Sequence, residues 1–413
     1  MAVVEKVKRY RWVILVLAFN AQFGNALPTA SVYPLAPLIQ SDVGLTNAEV
    51  GLFSSAVFAG TWGVLIIMGS LTDRVGVRRM MPLGQAITGM VILGISMVGG
   101  FIQMLLVMFA AGLGRGISHP GISKSIMDWF PTSSRATAMG IKQAGVPAAG
   151  IATAAILPTI GLMIGWRYAI AVVGVLIILF GVATALLYRD PSPSGDVPVR
   201  GAKPKASIGT VIRNRALWAI SFISILYVIV QLGLSTYLAL YLNEVVLVTA
   251  FPDENARLVA AGGFLAVCQA GGVFGRVFWG VVSDRLFHGR RMLVLTIIGA
   301  MAATLSWVTS SFGPGTPIGL LGPIAFMYGA SAIGWNGLAQ AVIVEAVGKR
   351  NAATGVGVST TFSQIGTVTG APLFGFVVDV TGTYRAAWML LGFLSLGGML
   401  MSILGSKTER CVE

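Results

Sequence analysis

Two stretches of the chain have closely similar sequences, and they decide the fold. Residues 69–79 read Gly-Ser-Leu-Thr-Asp-Arg-Val-Gly-Val-Arg-Arg, and residues 280–291 read Gly-Val-Val-Ser-Asp-Arg-Leu-Phe-His-Gly-Arg-Arg. The leading Gly and the Asp-Arg pair of the first stretch recur 211 positions later in the second. A basic position then recurs at an offset of 215 (Arg135 and Arg350) and another at 218 (Arg167 and Arg385). The sequence therefore predicts two repeats of similar structure.

The composition places these repeats in a membrane. Of the 413 residues, 55% are hydrophobic and only 10% are charged, and the mean hydropathy is +0.83. A soluble protein has about 25% charged residues, so an ordinary cytosolic enzyme, a disordered protein and a disulfide scaffold are all excluded. Cys268 and Cys411 lack a partner at a suitable spacing, and we therefore expect no disulfide, metal site or cofactor.

Twelve apolar segments, bounded by charged residues, Pro and Gly, are each long enough to cross a bilayer as a helix. In chain order they are spans 1–12, at 12–34, 48–70, 80–99, 102–128, 137–163, 168–188, 216–242, 256–283, 292–311, 317–345, 354–378 and 386–405. Span 1 follows a basic N-terminus and has no clear cleavage site, which predicts a retained helix rather than a signal peptide.

One long polar connection, residues 189–215, divides the spans six and six. The predicted fold class is thus an all-α membrane protein with twelve transmembrane helices in two pseudo-symmetric six-helix bundles. The expected bundles are residues 1–188 and 216–413, joined by a cytoplasmic linker at 189–215. Parallel six-helix repeats are a known plan of transporters, with the binding site near the midplane between them.

The net charge of +13 reflects topology rather than affinity for nucleic acid. Of the 28 Lys and Arg residues, 21 lie on alternate connections together with both termini, and three lie on the opposite set. The positive-inside rule then predicts that both termini face the cytoplasm. We expect a multi-pass protein of the plasma membrane (the inner membrane, if bacterial) with no nucleic-acid partner.

The motif Gly-x-Leu-x-Asp-Arg-x-Gly-x-Arg-Arg between spans 2 and 3 resembles the signature of the major facilitator superfamily, and its degenerate copy follows span 8. The resemblance covers the whole chain and implies that this loop is a conformational latch. The small Gly69 is expected to let helices approach closely, and Asp73 to pair with a helix N-terminus or an Arg. The predicted latch residues are Gly69, Asp73, Arg74, Arg78, Gly280, Asp284 and Arg285.

Other segments resemble the organic-anion branches of that superfamily. Residues 283–291 and 124–131 are similar to segments of organophosphate antiporters and anion:cation symporters. The pattern around Arg276 resembles helix 8 of monocarboxylate and oxalate transporters, in which the Arg holds a substrate carboxylate. Two departures argue against proton-coupled sugar-acid uptake and against drug export. Phe23-Gly24 replaces the Asp-Arg pair of anion:cation symporters, and Met108 replaces the Arg of proton-linked drug antiporters.

The ionisable residues within the spans are basic. Arg115, Lys124, Lys142 and Arg276 lie inside spans, with His119 beside them, whereas all fifteen acidic residues lie at helix ends or in loops. A charge at the bilayer centre costs at least about 2.5–3.5 kcal/mol and normally faces a cavity or a partner. Basic residues without acidic partners predict an anionic ligand.

Each of these residues also has a structural interpretation. Arg276 is a carboxylate ligand or pairs with an acidic helix end, and Arg115, flanked by glycines, is a ligand or is bonded to carbonyl groups of tightly packed helices. His119 carries a proton or is simply packed and hydrogen-bonded. Lys142 lines the pathway or extends to the interface.

Lys124 stands four residues before Asp128, the spacing of a surface ion pair, and is predicted to be structural.

Polar amides complete the predicted site. They either bond a substrate or hold helices together. Together with Arg276, Arg115, Lys142 and His119, the predicted substrate-binding residues are Asn20, Gln143, Gln231, Asn336, Gln340 and Gln364.

The predicted function is secondary transport of a small organic anion, most simply a carboxylate, by alternating access. Proton symport and anion exchange both remain open. The alternatives are a drug/proton antiporter and a membrane sensor of a phosphorylated or carboxylated metabolite. We expect a monomer without enzymatic activity, because no metal cluster, catalytic carboxylate pair or nucleophile motif stands in a span.

Overall fold

The computed structural model describes residues 2–190 and 213–409. Most of the predicted linker, residues 191–212, and Cys411 lie outside the described residues. Within the described ranges, twelve helical segments are long and apolar enough to cross a membrane. They coincide with the twelve predicted spans, which confirms the prediction of an all-α membrane protein.

The described residues divide into two compact units. The first unit comprises residues 2–44 and 56–190, and the second comprises residues 45–55 and 213–409. The short stretch 45–55 contains the beginning of a helix that continues into the first unit at Ala56.

The helices of the first part of the chain follow the predicted spans. They are α1 (Ala2–Ala30), α2 (Val32–Val43), α3 (Asn47–Val75), α4 (Val77–Leu93), α5 (Phe101–Trp129), α6 (Thr132–Gln143), α7 (Gly145–Ile164) and α8 (Trp166–Leu187). Span 1 extends to Val43, nine residues beyond its predicted end at 34. Pro34 lies in the first turn of α2, where a helix needs no backbone N–H, so it does not end the span.

The first unit is organised around α1 and α4. The helix α1 packs against α5, α7 and α8, and α4 packs against α5 and α8. Their shared core is apolar, with members including Ile14, Leu17, Met81, Ile122 and Ile126. This arrangement fixes the middle of α5, which carries two of the predicted site residues, Arg115 and His119.

Residues 213–409 form six further α-helices, and the π-helical turn Leu242–Val246 follows the first of them. They are α9 (Arg215–Tyr241), α10 (Glu254–Arg285), α11 (Arg291–Ser310), α12 (Ile318–Ala332), α13 (Asn336–Thr381) and α14 (Tyr384–Glu409). Span 10 ends and span 11 begins within α13, which is interrupted at Gly348. Gly348 has a φ of +75°, a conformation that glycine adopts without the steric cost of a Cβ atom.

Local sequence determines where several of these helices begin. The Asn214 side chain accepts a hydrogen bond from the backbone N–H of Leu217 at 3.1 Å and starts α9. Asp253 likewise accepts from the N–H of Ala256 at 3.0 Å and starts α10. Both are N-cap residues of a preferred type. In the folded unit, α9 packs against α13 and α14, α10 against α12, and α11 against α14.

Candidate functional site

Three glycines hold α5 close to its neighbours around Arg115. A Cβ atom on Gly114 would lie 2.6 Å from Oγ1 and 2.8 Å from N of Thr88 on α4. A Cβ atom on Gly116 would lie 2.9 Å from the carbonyl oxygen of Thr61 on α3, and one on Gly112 would collide with Val57. The glycines flanking Arg115 therefore do mark tight helix packing, and this packing fixes the backbone position of Arg115.

The guanidinium of Arg115 lies over an aromatic ring and is incompletely hydrogen-bonded. Its Cζ is 4.9 Å from the ring centroid of Phe58. Its Nε and Nη1 atoms are buried and have no hydrogen-bond partner among the residues that the structure describes. Buried donors normally have partners, because leaving one unpaired costs about 1–3 kcal/mol. The arrangement can therefore bind an anion with two donors that no described carbonyl group occupies.

Lys142 provides a second buried cation in the first unit. Only 4% of the residue is exposed, and its Nζ donates a hydrogen bond to Oγ of Ser123 on α5 at 3.0 Å. The ion pairs found in residues 2–190 join Lys124 to Asp73 and Arg167 to Asp42 instead. Lys142, at the end of α6, thus has a neutral oxygen as its partner.

His119 lies between these two cations. It is half-buried, one helical turn after Arg115 on α5, and both Arg115 and Lys142 are within electrostatic range of its ring. Gln143, also half-buried, follows Lys142 at the last position of α6. The structure therefore brings together Arg115, His119 and Lys142, with Gln143 adjoining Lys142 in the chain.

Two amides of α1 differ in their surroundings. Asn25 is buried, and its Oδ1 lies 2.9 Å from Oγ of Ser118 on α5. Its Nδ2 has no hydrogen-bond partner in the described part of the chain. Asn20, the predicted ligand, is a half-buried residue further towards the N-terminus of α1.

In the second unit, two predicted ligands bind each other. Nδ2 of Asn336 donates to Oε1 of Gln231 at 2.9 Å, which joins the start of α13 to α9. Arg276 on α10 is half-buried, and its carbonyl oxygen lies 3.8 Å from where a Cβ atom on Gly337 would stand. Arg276 and the amide pair thus lie on adjoining helix segments.

Gln340 and Gln364 lie further along α13. Gln340 is exposed and lines an open cavity of about 530 Å³, together with Arg291 and Glu345. Gln364 is half-buried. In the described ranges no group of three His, Cys, Asp or Glu side chains could hold a metal ion.

The aspartates of the two repeated motifs each pair with a base of their own unit. Asp73 Oδ1 lies 2.6 Å from Nζ of Lys124, and Asp284 Oδ1 lies 3.5 Å from Nη2 of Arg291. The prediction that Lys124 pairs with Asp128 is therefore corrected, since the ion pair that the structure shows joins α5 to α3. Arg291 also pairs with Glu345 of α13, with Nε 2.6 Å from Oε1.

The expectation that the small Gly69 lets helices approach closely is wrong for the described residues. A Cβ atom on Gly69 or on Gly280 would meet no described atom within 4 Å, so neither glycine marks a close helix approach. The remaining latch residues, Arg74, Arg78 and Arg285, are exposed.

Sequence reasoning missed the residues that surround the predicted cations. Phe58 under Arg115 carried no signal, because its role depends on how α3 packs against α5. Ser123 did carry a signal in the sequence. It stands eight residues after Arg115 and four after His119, so the three residues share a helix face.

Comparison with known proteins agrees with this architecture. Residues 18–371 match the model of the family described as Major Facilitator Superfamily. The chain belongs to the major facilitator superfamily. As such it is a multi-pass membrane transporter, and its curated relatives are transporters rather than enzymes.

Relatives and a solved structure cover nearly the whole of this superfamily member. The hexuronate transporter of Bacillus subtilis (strain 168) is 22% identical over 407 residues, covering 94% of this chain and 93% of the relative. The probable L-galactonate transporter of Escherichia coli (strain K12) is 27% identical over 423 residues, with coverages of 96% and 90%. The crystal structure of a bacterial homologue of the human lysosomal transporter Spinster has a TM-score of 0.76, 18% identity and 97% coverage of each chain, which shows the shared fold.

Proposed function

We propose that this protein is a secondary transporter of a small organic anion that carries a carboxylate group. The observation that carries the proposal is the guanidinium of Arg115, whose Nε and Nη1 have no hydrogen-bond partner among described residues. A planar guanidinium binds a carboxylate through parallel N–H···O hydrogen bonds, and these charge-assisted bonds are strong. The names of the two relatives support this choice, because hexuronate and L-galactonate both carry a carboxylate.

Four residues of the first unit have a role in this proposal. Arg115 binds the carboxylate, and Phe58 holds its guanidinium in place from one face. Hydroxyl groups of the substrate bond to His119, which as a neutral imidazole offers one donor and one acceptor, and to the amide of Asn25. Arg276 of the second unit remains a predicted carboxylate ligand and is tested separately.

Transport proceeds by alternating access, with Asp73 and Lys124 acting as part of the latch. We place the protein in the plasma membrane with both termini in the cytoplasm, as the distribution of Lys and Arg favours, and expect it to act as a monomer. The driving force is proton symport or anion exchange. A His119→Gln variant that keeps uptake driven by a pH gradient would exclude His119 as the proton carrier.

Uptake into proteoliposomes containing only this protein tests the function. Galactonate, glucuronate, sulfoacetate and glycerol 3-phosphate are the anionic test substrates, and a cationic dye represents drug transport. We expect saturable uptake of one or more of the sugar acids. Uptake of the dye alone would favour a drug antiporter, and ligand binding without any transport would favour a sensor.

Variants then test the residues. Arg115→Gln should lower the kcat/KM of uptake at least about tenfold, since a hydrogen bond to a charged group contributes about 1.5–3 kcal/mol. Arg115→Lys keeps the charge but not the planar geometry and should restore activity only in part. Arg213→Gln removes an exposed Arg and serves as the control. Wild-type kinetics in Arg115→Gln would refute the role of Arg115 as a carboxylate ligand. The same result in Arg276→Gln would exclude Arg276 as a ligand.

A further inference from the structure

Among its described residues, the first unit buries the cationic groups of Arg115 and Lys142 and shows no ion pair between either of them and a carboxylate. Arg115 and Lys142 are both absent from the ion pairs among the described residues, where Asp42 and Asp73 are paired with Arg167 and Lys124. Lys142 is 4% exposed, with the neutral Oγ of Ser123 as its hydrogen-bond partner. An isolated buried charge is unfavourable unless it is compensated. Two such charges call for two negative charges on the ligand.

Both cations lie against α5: Arg115 is one of its residues, and Lys142 of α6 bonds to its Ser123. Arg115, His119 and Ser123 are spaced by four residues each and therefore lie above one another on the helix. Ser123 anchors the ammonium of Lys142. At about 1.5 Å per residue, the backbone positions of Arg115 and Ser123 are about 12 Å apart along the helix axis. His119 occupies the level between them.

Two cations against one helix fit a particular class of anion. A substrate with a carboxylate at each end can place one negative charge against Arg115 and the other against Lys142, and charge-assisted hydrogen bonds of this kind are strong. The hydroxyl groups between its two carboxylates would then lie at the level of His119.

We propose that Lys142 binds a second carboxylate, and that the preferred substrates are dicarboxylic sugar acids rather than monocarboxylic ones. This inference rests on the proposed function, since it takes Arg115 as the ligand of the first carboxylate. Lys142 is then a specificity-determining residue. It distinguishes substrates that have the same carbon skeleton and differ only in the oxidation state of one end.

Paired substrates in proteoliposomes test the inference. Galactarate and galactonate have the same six-carbon skeleton and carry two carboxylates and one, respectively. We expect the wild-type KM for galactarate to be about tenfold lower than for galactonate, the size expected for one additional hydrogen bond to a charged group. Lys142→Gln should raise the KM for galactarate about tenfold and change that for galactonate less than about twofold, so that the preference disappears.

Two further variants control the result. Lys142→Arg retains the charge and should keep the preference for galactarate. Lys124→Gln removes a Lys whose partner is Asp73 and should leave the ratio of the two KM values unchanged. A melting curve of each purified variant shows whether it is folded, and stabilisation by galactarate gives a second measure of binding.

The outcomes separate this inference from the proposed function. Uptake of galactonate with a KM equal to or lower than that of galactarate in the wild type would overturn the inference and leave carboxylate transport standing. This comparison needs no variant, so it holds even if Lys142→Gln does not fold. If Lys142→Gln changed the KM of both substrates by the same factor, the inference would also be overturned. Absence of uptake and of thermal stabilisation for every carboxylate would overturn the proposed function itself.

Discussion

The carboxylate of Asp379 binds both the backbone and the side chain of Asn47, the first residue of α3. Oδ1 accepts from the backbone N–H of Asn47 at 3.0 Å and from its Nδ2 at 2.9 Å, while Oδ2 accepts from the N–H of Ala48 at 2.8 Å. These N–H groups have no partners within α3 itself, and a carboxylate at a helix N-terminus also interacts favourably with the helix dipole. Asp379 thus caps a helix from 332 residues away in the chain.

Replacement of Asp379 should therefore lower the stability of the second unit. Asp379→Ala removes all three hydrogen bonds, and losing a helix cap costs about 1 kcal/mol. We expect the melting temperature in detergent to fall by roughly 2–4 °C. Glu254→Ala, which removes an exposed carboxylate at another helix start, is the matched control. An unchanged melting temperature in Asp379→Ala would show that the cap contributes nothing.

A methyl group on Gly114 should disturb the packing that positions Arg115. The added Cβ atom would lie within 2.8 Å of two atoms of Thr88, so α4 and α5 must separate. Overpacking of this kind costs about 1–3 kcal/mol. We expect Gly114→Ala to lower both the melting temperature and the uptake rate. Gly63→Ala adds the same group where no atom of the described residues lies within 4 Å and should not destabilise the protein. Equal melting temperatures for the two variants would contradict the packing argument.

The ion pair between Asp73 and Lys124 should affect turnover more than stability. Both side chains are partly exposed, and surface ion pairs contribute at most about 1 kcal/mol. If the pair belongs to the latch, Asp73→Ala and Lys124→Ala should each lower the maximal uptake rate while the KM changes less than about twofold.

The double variant tests whether Asp73 and Lys124 act together. Asp73→Ala combined with Lys124→Ala should be no slower than the slower single variant, because the second change removes a partner that is already lost. Additive effects on the rate would mean that the two residues act independently.

The hydrogen bond between Gln231 and Asn336 should give a measurable coupling energy. Gln231→Ala and Asn336→Ala together should destabilise the protein by about 0.5–1.5 kcal/mol less than the sum of the two single changes. Gln231→Ala combined with Gln340→Ala, an exposed residue further along α13, should be additive. An increase in KM caused by Asn336→Ala but not by Gln231→Ala would instead assign Asn336 to the substrate.

Much of the fold could be predicted because the bilayer imposes it locally. Each span needs about 20 apolar residues with its backbone hydrogen bonds satisfied internally, and these requirements are visible in a short window of sequence. Span 1 is longer than its sequence predicted. Pro34 resembles a boundary in the sequence, but in the first turn of α2 it is compatible with the helix.

The buried cations of the candidate site could be predicted from the sequence, and their contacts could not. A cation within an apolar span is visible in the sequence, and Arg115 and Lys142 were found in that way. The partner of Lys124 was not, because Asp128 on the same helix and Asp73 on α3 are equally reasonable partners until the packing of α3 against α5 is known. Gln231 and Asn336 present the same difficulty, since each is suited to a ligand or to another amide.

Cys268 has a practical consequence for spectroscopy. Its side chain is buried in the second unit and has no disulfide partner in the described ranges, so a maleimide or nitroxide reagent in water should react with it slowly. Replacing Cys411 by Ser would then leave this buried thiol as the one cysteine of the sequence and give a background of low reactivity. Pairs of cysteines introduced at exposed positions such as Arg78 and Arg290 could carry spin labels or fluorophores, and the distances between them would report each step of the transport cycle.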